Sequence, residues 1–419
     1  MQASRFGHQL TWLTMFILCC CCHWSSAASD TKTVSISQQQ RSIVAKMEQL
    51  IFEKLVSQAV DEIRMHSDRP RILARHLDKI NHSINPAMIS DAQKDQLALL
   101  NWLSLRPRYS AGSALDKAQA QCALQPLEPE QLHHWLRTWS ADLTAVRTAY
   151  PDSLRNEARK TILEGIPSDR AAKHQAMSVL QDSLIHYIDL NVLHLPLHGL
   201  GELTLEQLNG DEPYLPLFRY NANAQSIQVN LTEKPLIHFV ELEAAALFYG
   251  VPGQHLFHNL VKSNPVHRLT NCNAFAEAYA QYLLNLSGSD PIYQQNHAAI
   301  SHQEFLLSRV ALALADLDLH VFNVDKSTVF DILVSRMLAS KARIQFELEQ
   351  LIRQPGQALV SAAIVKELMQ FQAMSEQRTG ENFRLRDYLN RLNEVISLPL
   401  PMIREKMIAW SNDHVREVD

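Results

Sequence analysis

The sequence predicts a mainly α-helical protein interrupted by one small β-hairpin. Three observations point there. Apolar residues recur at helical spacing along most of the chain, with prolines punctuating the repeats. One stretch, residues 192–235, trades that pattern for Leu, Pro, Gly and Asn and for short strand-like segments. The 419 residues include just 11 glycines, too few for a β-rich design or one built on Gly-rich nucleotide loops. The length suits one large domain or two ordinary ones. At 46% hydrophobic and 20% charged, the composition fits a well-packed soluble protein. A net charge of −5 gives no attraction for nucleic acid, so no nucleic-acid partner is expected.

Residues 1–28 read as a secretory signal. Arg5 gives a positive start, and Leu10–Cys22 is an apolar run too short to span a bilayer comfortably. Small residues Ser25 to Ala28 precede the polar Asp30. Cleavage near Ala27 or Ala28 would place the mature chain outside the cytoplasm, periplasmic or secreted. Lipid anchoring is disfavoured, because Cys19 follows Phe16-Ile17-Leu18 where an acylation signal needs a small residue. Four of the six cysteines fall in this segment, which leaves Cys122 and Cys272 to form at best one bridge. No later apolar run approaches membrane-spanning length, so no transmembrane segment is expected in the mature chain.

Residues 29–191 form the expected N-terminal helical region. Ile43, Met47, Leu50, Ile51, Leu55 and Ala59 make an apolar helical stripe across 37–65 that ends before Arg69-Pro70. Further helices are expected at 70–83, 89–104, 128–149, 152–163 and 168–190, two of them opened by Pro129 and Pro151. In the 192–235 region, Tyr214–Tyr220 and Ser226–Asn230 read as strands around Asn221-Ala222-Asn223. Residues 236–419 turn helical again, punctuated at Pro252, Pro265, Pro291, Pro355 and Pro399. Within them, 302–322 is apolar nearly all round and should be buried. Residues 326–353 read as one long helix stopped by Pro355-Gly356.

Chemistry concentrates in four ordered segments of the C-terminal half. They are Gln228-Val229-Asn230 at the end of a strand, LFYGVPGQHL from Leu247, AFAEAYAQ from Ala274 and RVALALADLDLH from Arg309. QPGQALVSAAIVKELMQFQ from Gln354 and FRLRDYLNRL from Phe383 follow. In order and spacing these resemble the domain-of-unknown-function family 885 (DUF885), secreted bacterial proteins that look like helical zinc-dependent peptidases. The corresponding family patterns are a strand ending in Val-Asn, His-Glu-x-x-Pro-Gly-His-His-Leu, Glu-Gly-Trp-x-x-Tyr-x-Glu and Arg-x-x-Arg-x-x-x-Asp-Thr-Gly-x-His. The resemblance covers roughly 215–419 and reaches the N-terminal half only through helical character. It implies a large helical zinc-peptidase-like fold, shortened here, with the hairpin beside a central cleft.

The resemblance also implies that the catalyst is gone. A catalytic zinc takes about three imidazole or carboxylate ligands and a water, and a nearby carboxylate receives the water's proton. Phe248 and Tyr249 stand at the His-Glu pair, Gln254 at the first of the adjacent histidines, and Ala274 and Gln281 at the two later glutamates. Leu389 and Asn390 replace His and Asp in the last segment. Glu241 lies seven residues before Phe248, about 10 Å along a helix, too far to restore a coordination shell, and Glu243 points to another face.

The expected site therefore has no catalytic residue, no metal and no cofactor, and keeps His255, Tyr279, Arg309, Asp316 and His320 as candidate cleft-binding groups. Asp316 and His320 share a helix face one turn apart, either as a ligand-binding pair or as a buried hydrogen bond between the two. Arg309 could pair with Asp316 or bind an anion. The expected function is a non-catalytic exported homologue that binds a peptide or an envelope protein. The alternative is a metallohydrolase with rearranged ligands, His255, His320 and Asp316, which alone would call for zinc.

Overall fold

The computed structural model describes residues 38–65, 69–105, 122, 128–167, 169–190, 193, 195, 197, 200–208, 215–231, 236–262, 273–287 and 297–416. The expected signal at 1–28, Cys19 to Cys22, Tyr214 and Cys272 lie outside those residues. Cys122 is buried and disulfide-bonded.

Three helices open the described chain, α1 (Gln38–Met65), α2 (Arg69–Ser83) and α3 (Asp91–Leu105). They close on a core of their own around Phe52, Val56, Ala59, Ile80, Leu99 and Leu100. The next three, α4 (Pro129–Ala149), α5 (Asp152–Glu164) and α6 (Arg170–Leu190), start and stop close to where proline and periodicity place them. The apolar faces of α4 and α6 belong to the large core, in which Leu136, Trp139 and Leu180 join Ile227, Phe248, Tyr279, Val310, Ile364 and Tyr388. Residues 38–105 pack on themselves, and 129–190 pack with the C-terminal helices.

The hairpin region holds one strand more than expected. β2 (Phe218–Asn221) and β3 (Ser226–Val229) are the antiparallel pair, with Tyr220 opposite Ile227, and β1 (Thr204–Gln207) adds to the other edge of β3 in parallel. Covered on both edges, β3 is buried along its whole length. Ile227 and Val229 place β3 in the main core.

The C-terminal part comprises α7 (Phe239–Tyr249), α8 (Gln254–Lys262), α9 (Asn273–Ser287), α10 (His297–His320), α11 (Lys326–Arg336), α12 (Lys341–Arg353), α13 (Gln357–Thr379), α14 (Leu385–Val395) and α15 (Leu400–Arg416). α10 is apolar all round because it packs on two sides. Val310, Leu314 and Leu317 enter the main core, and Ala311, Leu312 and Ala315 enter a second cluster with α11 and α12. The single helix expected over 326–353 is two helices. Ser340 leaves helical geometry and its hydroxyl accepts from the Arg343 N–H (3.2 Å), starting α12 afresh. That break carries Arg343 toward the site described next. Among the described residues no helix is long and apolar enough to cross a membrane.

Candidate functional site

A cavity of about 730 Å³ lies between the hairpin, the α7–α8 turn, α9, α10 and the α11–α13 segment. Its wall begins at the start of α7, where His238 and Glu241 form a reciprocal cap. The His238 ring accepts from the Glu241 N–H (3.2 Å), and Glu241 Oε1 accepts from the His238 N–H (3.0 Å). Arg343 reaches the same carboxylate from α12, donating from Nη1 to Oε1 (3.1 Å) and Oε2 (3.3 Å). It also donates from Nη1 to the Leu236 carbonyl (2.8 Å) and from Nε to Glu347 one turn along (2.7 Å). Burial works against the Arg343 charge, but Glu241 and Glu347 outweigh it and hold the proton more tightly than usual.

A second charged group sits on α9 and α10. Arg309 donates from Nη2 to Glu277 Oε2 (2.5 Å), and Gln357 donates to Glu277 Oε1 (2.7 Å). The Arg309 guanidinium lies over the Phe248 ring, 5.1 Å from its centroid. Burial again opposes the charge, and Glu277 and its neighbours outweigh it. Glu304 also lines the cavity and accepts from Arg147 of α4 (3.2 Å). Burial pushes its carboxyl up despite that arginine.

The turn between α7 and α8 explains how Pro252-Gly253 shapes the site. The Gly253 N–H returns to the Leu247 carbonyl (3.0 Å), so closely that a Cβ at 253 would collide with the Leu247 and Phe248 carbonyl oxygens. The tight turn leaves Tyr249 at the end of one helix and Gln254 at the start of the next, both on the cavity wall. Tyr249 stacks on Phe218 (5.7 Å between centroids), and burial pushes its phenol up.

Of the seven positions where the resemblance places replaced groups, Tyr249 and Gln254 line the cavity, and Leu389 and Asn390 lie away from it on α14. Phe248, Ala274 and Gln281 do not line it either. Phe248 is fully buried against Tyr249 and Phe305 (4.8 and 5.2 Å), beneath Arg309. Ala274 is core, and Gln281 is buried with its amide nitrogen unbonded. These residues do not fit a zinc ion. Phenyl and methyl groups offer no lone pair, and among the described residues no three His, Cys, Asp or Glu side chains converge as a metal site requires.

Of the five candidate binding residues, Arg309 alone is on the cavity wall. It pairs with Glu277 rather than Asp316. His255 ties the hairpin to α8. Its Nδ1 lies 2.8 Å from the Tyr220 hydroxyl and its Nε2 3.0 Å from the Gly201 carbonyl. A carbonyl only accepts, so Nε2 carries the proton and Nδ1 accepts from the phenol. Burial lowers the His255 ring and pushes the Tyr220 phenol up to about 12. Tyr279 is core, donating to Asn393 (2.5 Å).

Asp316 and His320 are 3.7 Å apart and are not hydrogen-bonded to each other. Asp316 instead accepts from the Gly356 and Leu359 N–H groups (2.9 and 3.0 Å), capping α13 from a neighbouring helix. His320 meets the Leu351 carbonyl at the end of α12 (3.2 Å). The alternative ligand set of His255, His320 and Asp316 is thus three structural contacts in two places.

Sequence reasoning missed Glu277, Glu304, Arg343 and Glu347 and set Glu241 aside. Two signals were there to be read: the i,i+4 spacing of Arg343 and Glu347, and the three-residue spacing of His238 and Glu241 just before an apolar run.

Residues 219–407 match the family described as "Bacterial protein of unknown function (DUF885)", a span that contains most of the cavity wall. A solved structure described as "the putative lipoprotein from Colwellia psychrerythraea" superposes with a TM-score of 0.62 at 13% identity, covering 85% of this chain and 70% of that one. At that identity the likeness is one of fold. No curated protein matches. The match to the DUF885 family model over residues 219–407 agrees with the motif order and the hairpin, and the helical fold is shared with that solved structure.

Proposed function

We propose that this is an exported, non-catalytic member of its family that binds a peptide segment in the cavity beside the hairpin. The observation that carries the reading is a cavity of about 730 Å³ whose wall presents Tyr249 and Gln254 where the family resemblance calls for Glu and His. That volume is in the range of small-ligand sites. Its lining mixes amide and hydroxyl groups with Arg309 and Arg343, each already held by a glutamate, a surface suited to hydrogen-bonding a peptide backbone. A phenol held protonated by burial and a neutral amide can orient a ligand, but neither replaces a carboxylate base or an imidazole ligand. Export is inferred from the apolar N-terminal run and the small residues that follow it.

Two measurements test the reading. Elemental analysis of the purified protein after zinc loading and dialysis should find substoichiometric metal, and peptides incubated with it should be retained uncut. Stoichiometric zinc of sub-micromolar affinity, or turnover of any peptide, refutes the non-catalytic assignment.

A further inference from the structure

Donors and acceptors on the cavity wall are unevenly committed. Glu277 gives one oxygen to Arg309 and the other to Gln357. Both oxygens of Glu241 face Arg343, and one also accepts from the His238 N–H. The arginines are less fully used. Of five N–H donors on a guanidinium, Arg309 directs those of Nη2 at Glu277, and Arg343 uses Nε and Nη1. No other nitrogen of either residue is both sealed from solvent and unbonded. Arg309 is fixed by the Phe248 face beneath it, and Arg343 by two carboxylates and a carbonyl. Little side-chain freedom remains to be lost when a ligand arrives.

We propose that the cavity takes the C-terminal end of a peptide, with Arg309 and Arg343 receiving its free α-carboxylate. A carboxylate can accept one charge-assisted hydrogen bond from Nη2 of Arg343 and one from Nη1 or Nε of Arg309, the donors that their glutamates leave over. Glu304 is met by Arg147 from outside the wall, so the four lining glutamates are balanced by four arginines, and a singly charged carboxylate upsets that balance less than a doubly charged phosphate ester. Tyr249 and Gln254 line the same cavity with groups that can bond backbone amides. The inference rests on the peptide-binding reading above and adds the end of the peptide that is recognised.

The test uses the full chain and one random hexapeptide library in three forms: N-acetylated with a free carboxylate, N-acetylated with a carboxamide, and free at the N-terminus with a carboxamide. Retained peptides are quantified by mass spectrometry after gel filtration. The acetylated acid should be retained over its amide by about tenfold or more, and Arg309→Gln should bring that ratio close to one. Circular dichroism confirms that the variant is folded; if it is not, the three libraries on the unmodified protein still decide. Equal retention of acid and amide, or preference for the free amine, overturns carboxylate recognition and leaves peptide binding standing. Retention of no library overturns both.

Discussion

His302 lies on α10 with its side chain wholly buried, and burial holds its ring down to about 3. An unfolded chain protonates the same ring below about 6.5. The sign follows: the unfolded state binds more protons between those values, so stability is full above about 6.5 and is lost as the pH falls toward 3. Near pH 4.5 the unfolded ring is about 99% protonated and the folded ring almost wholly neutral, which removes roughly 3 kcal/mol. His302→Gln abolishes this titration. Urea unfolding of both proteins, at pH values near 7.5 and 4.5, isolates the effect because every other group titrates in both. The stability lost on acidification should be smaller in the variant by about 2–3 kcal/mol. A difference under about 0.5 kcal/mol would show that the buried ring does not stay neutral, and the reasoning would fail. His238 and His255, also lowered by burial, act in the same direction and persist in the variant.

Three further outcomes are expected. Asp316→Ala should lower the unfolding free energy by about 2–4 kcal/mol, because two buried N–H groups at the start of α13 lose their acceptor. Asp316→Asn, which keeps one oxygen, should cost less, and a change under about 1 kcal/mol for alanine would place the cap elsewhere. Gly253→Ala should depress the thermal midpoint or abolish soluble expression, since the added methyl meets two backbone carbonyls that cannot both move. Restoring His, Glu, His and Glu together at 248, 249, 254 and 274 should give a protein without stoichiometric zinc, because positions 248 and 274 lie in the core rather than on the cavity wall. Tight one-to-one zinc in that variant would show that the four positions converge after all.

Much of the fold was legible because it is set by local chemistry. The boundaries of α4 and α5 follow Pro129 and Pro151, and the burial of α10 follows its apolar circumference. The hairpin of β2 and β3 was readable as two short strands about a turn. β1 was not, since it pairs in parallel with a strand 22 residues later and its own four residues are mostly exposed. The break between α11 and α12 was hidden because continuous helical periodicity masks a single serine cap.

The sequence by itself determined the helical class, the order of the elements, the tight Pro252-Gly253 turn and the identities Phe248, Tyr249, Gln254 and Ala274 at the positions where the resemblance expects His and Glu. These are properties of residue identity and of neighbours a few positions apart. Only the tertiary structure decided which charges meet. Arg309 finds Glu277 across 32 residues, Arg343 finds Glu241 across 102, and Asp316 turns to the backbone of α13, 40 residues on, instead of to His320. Buried charges must be compensated wherever packing leaves them. Packing brings together residues whose separation along the chain carries no periodic signal, and so the cavity wall became visible only in three dimensions.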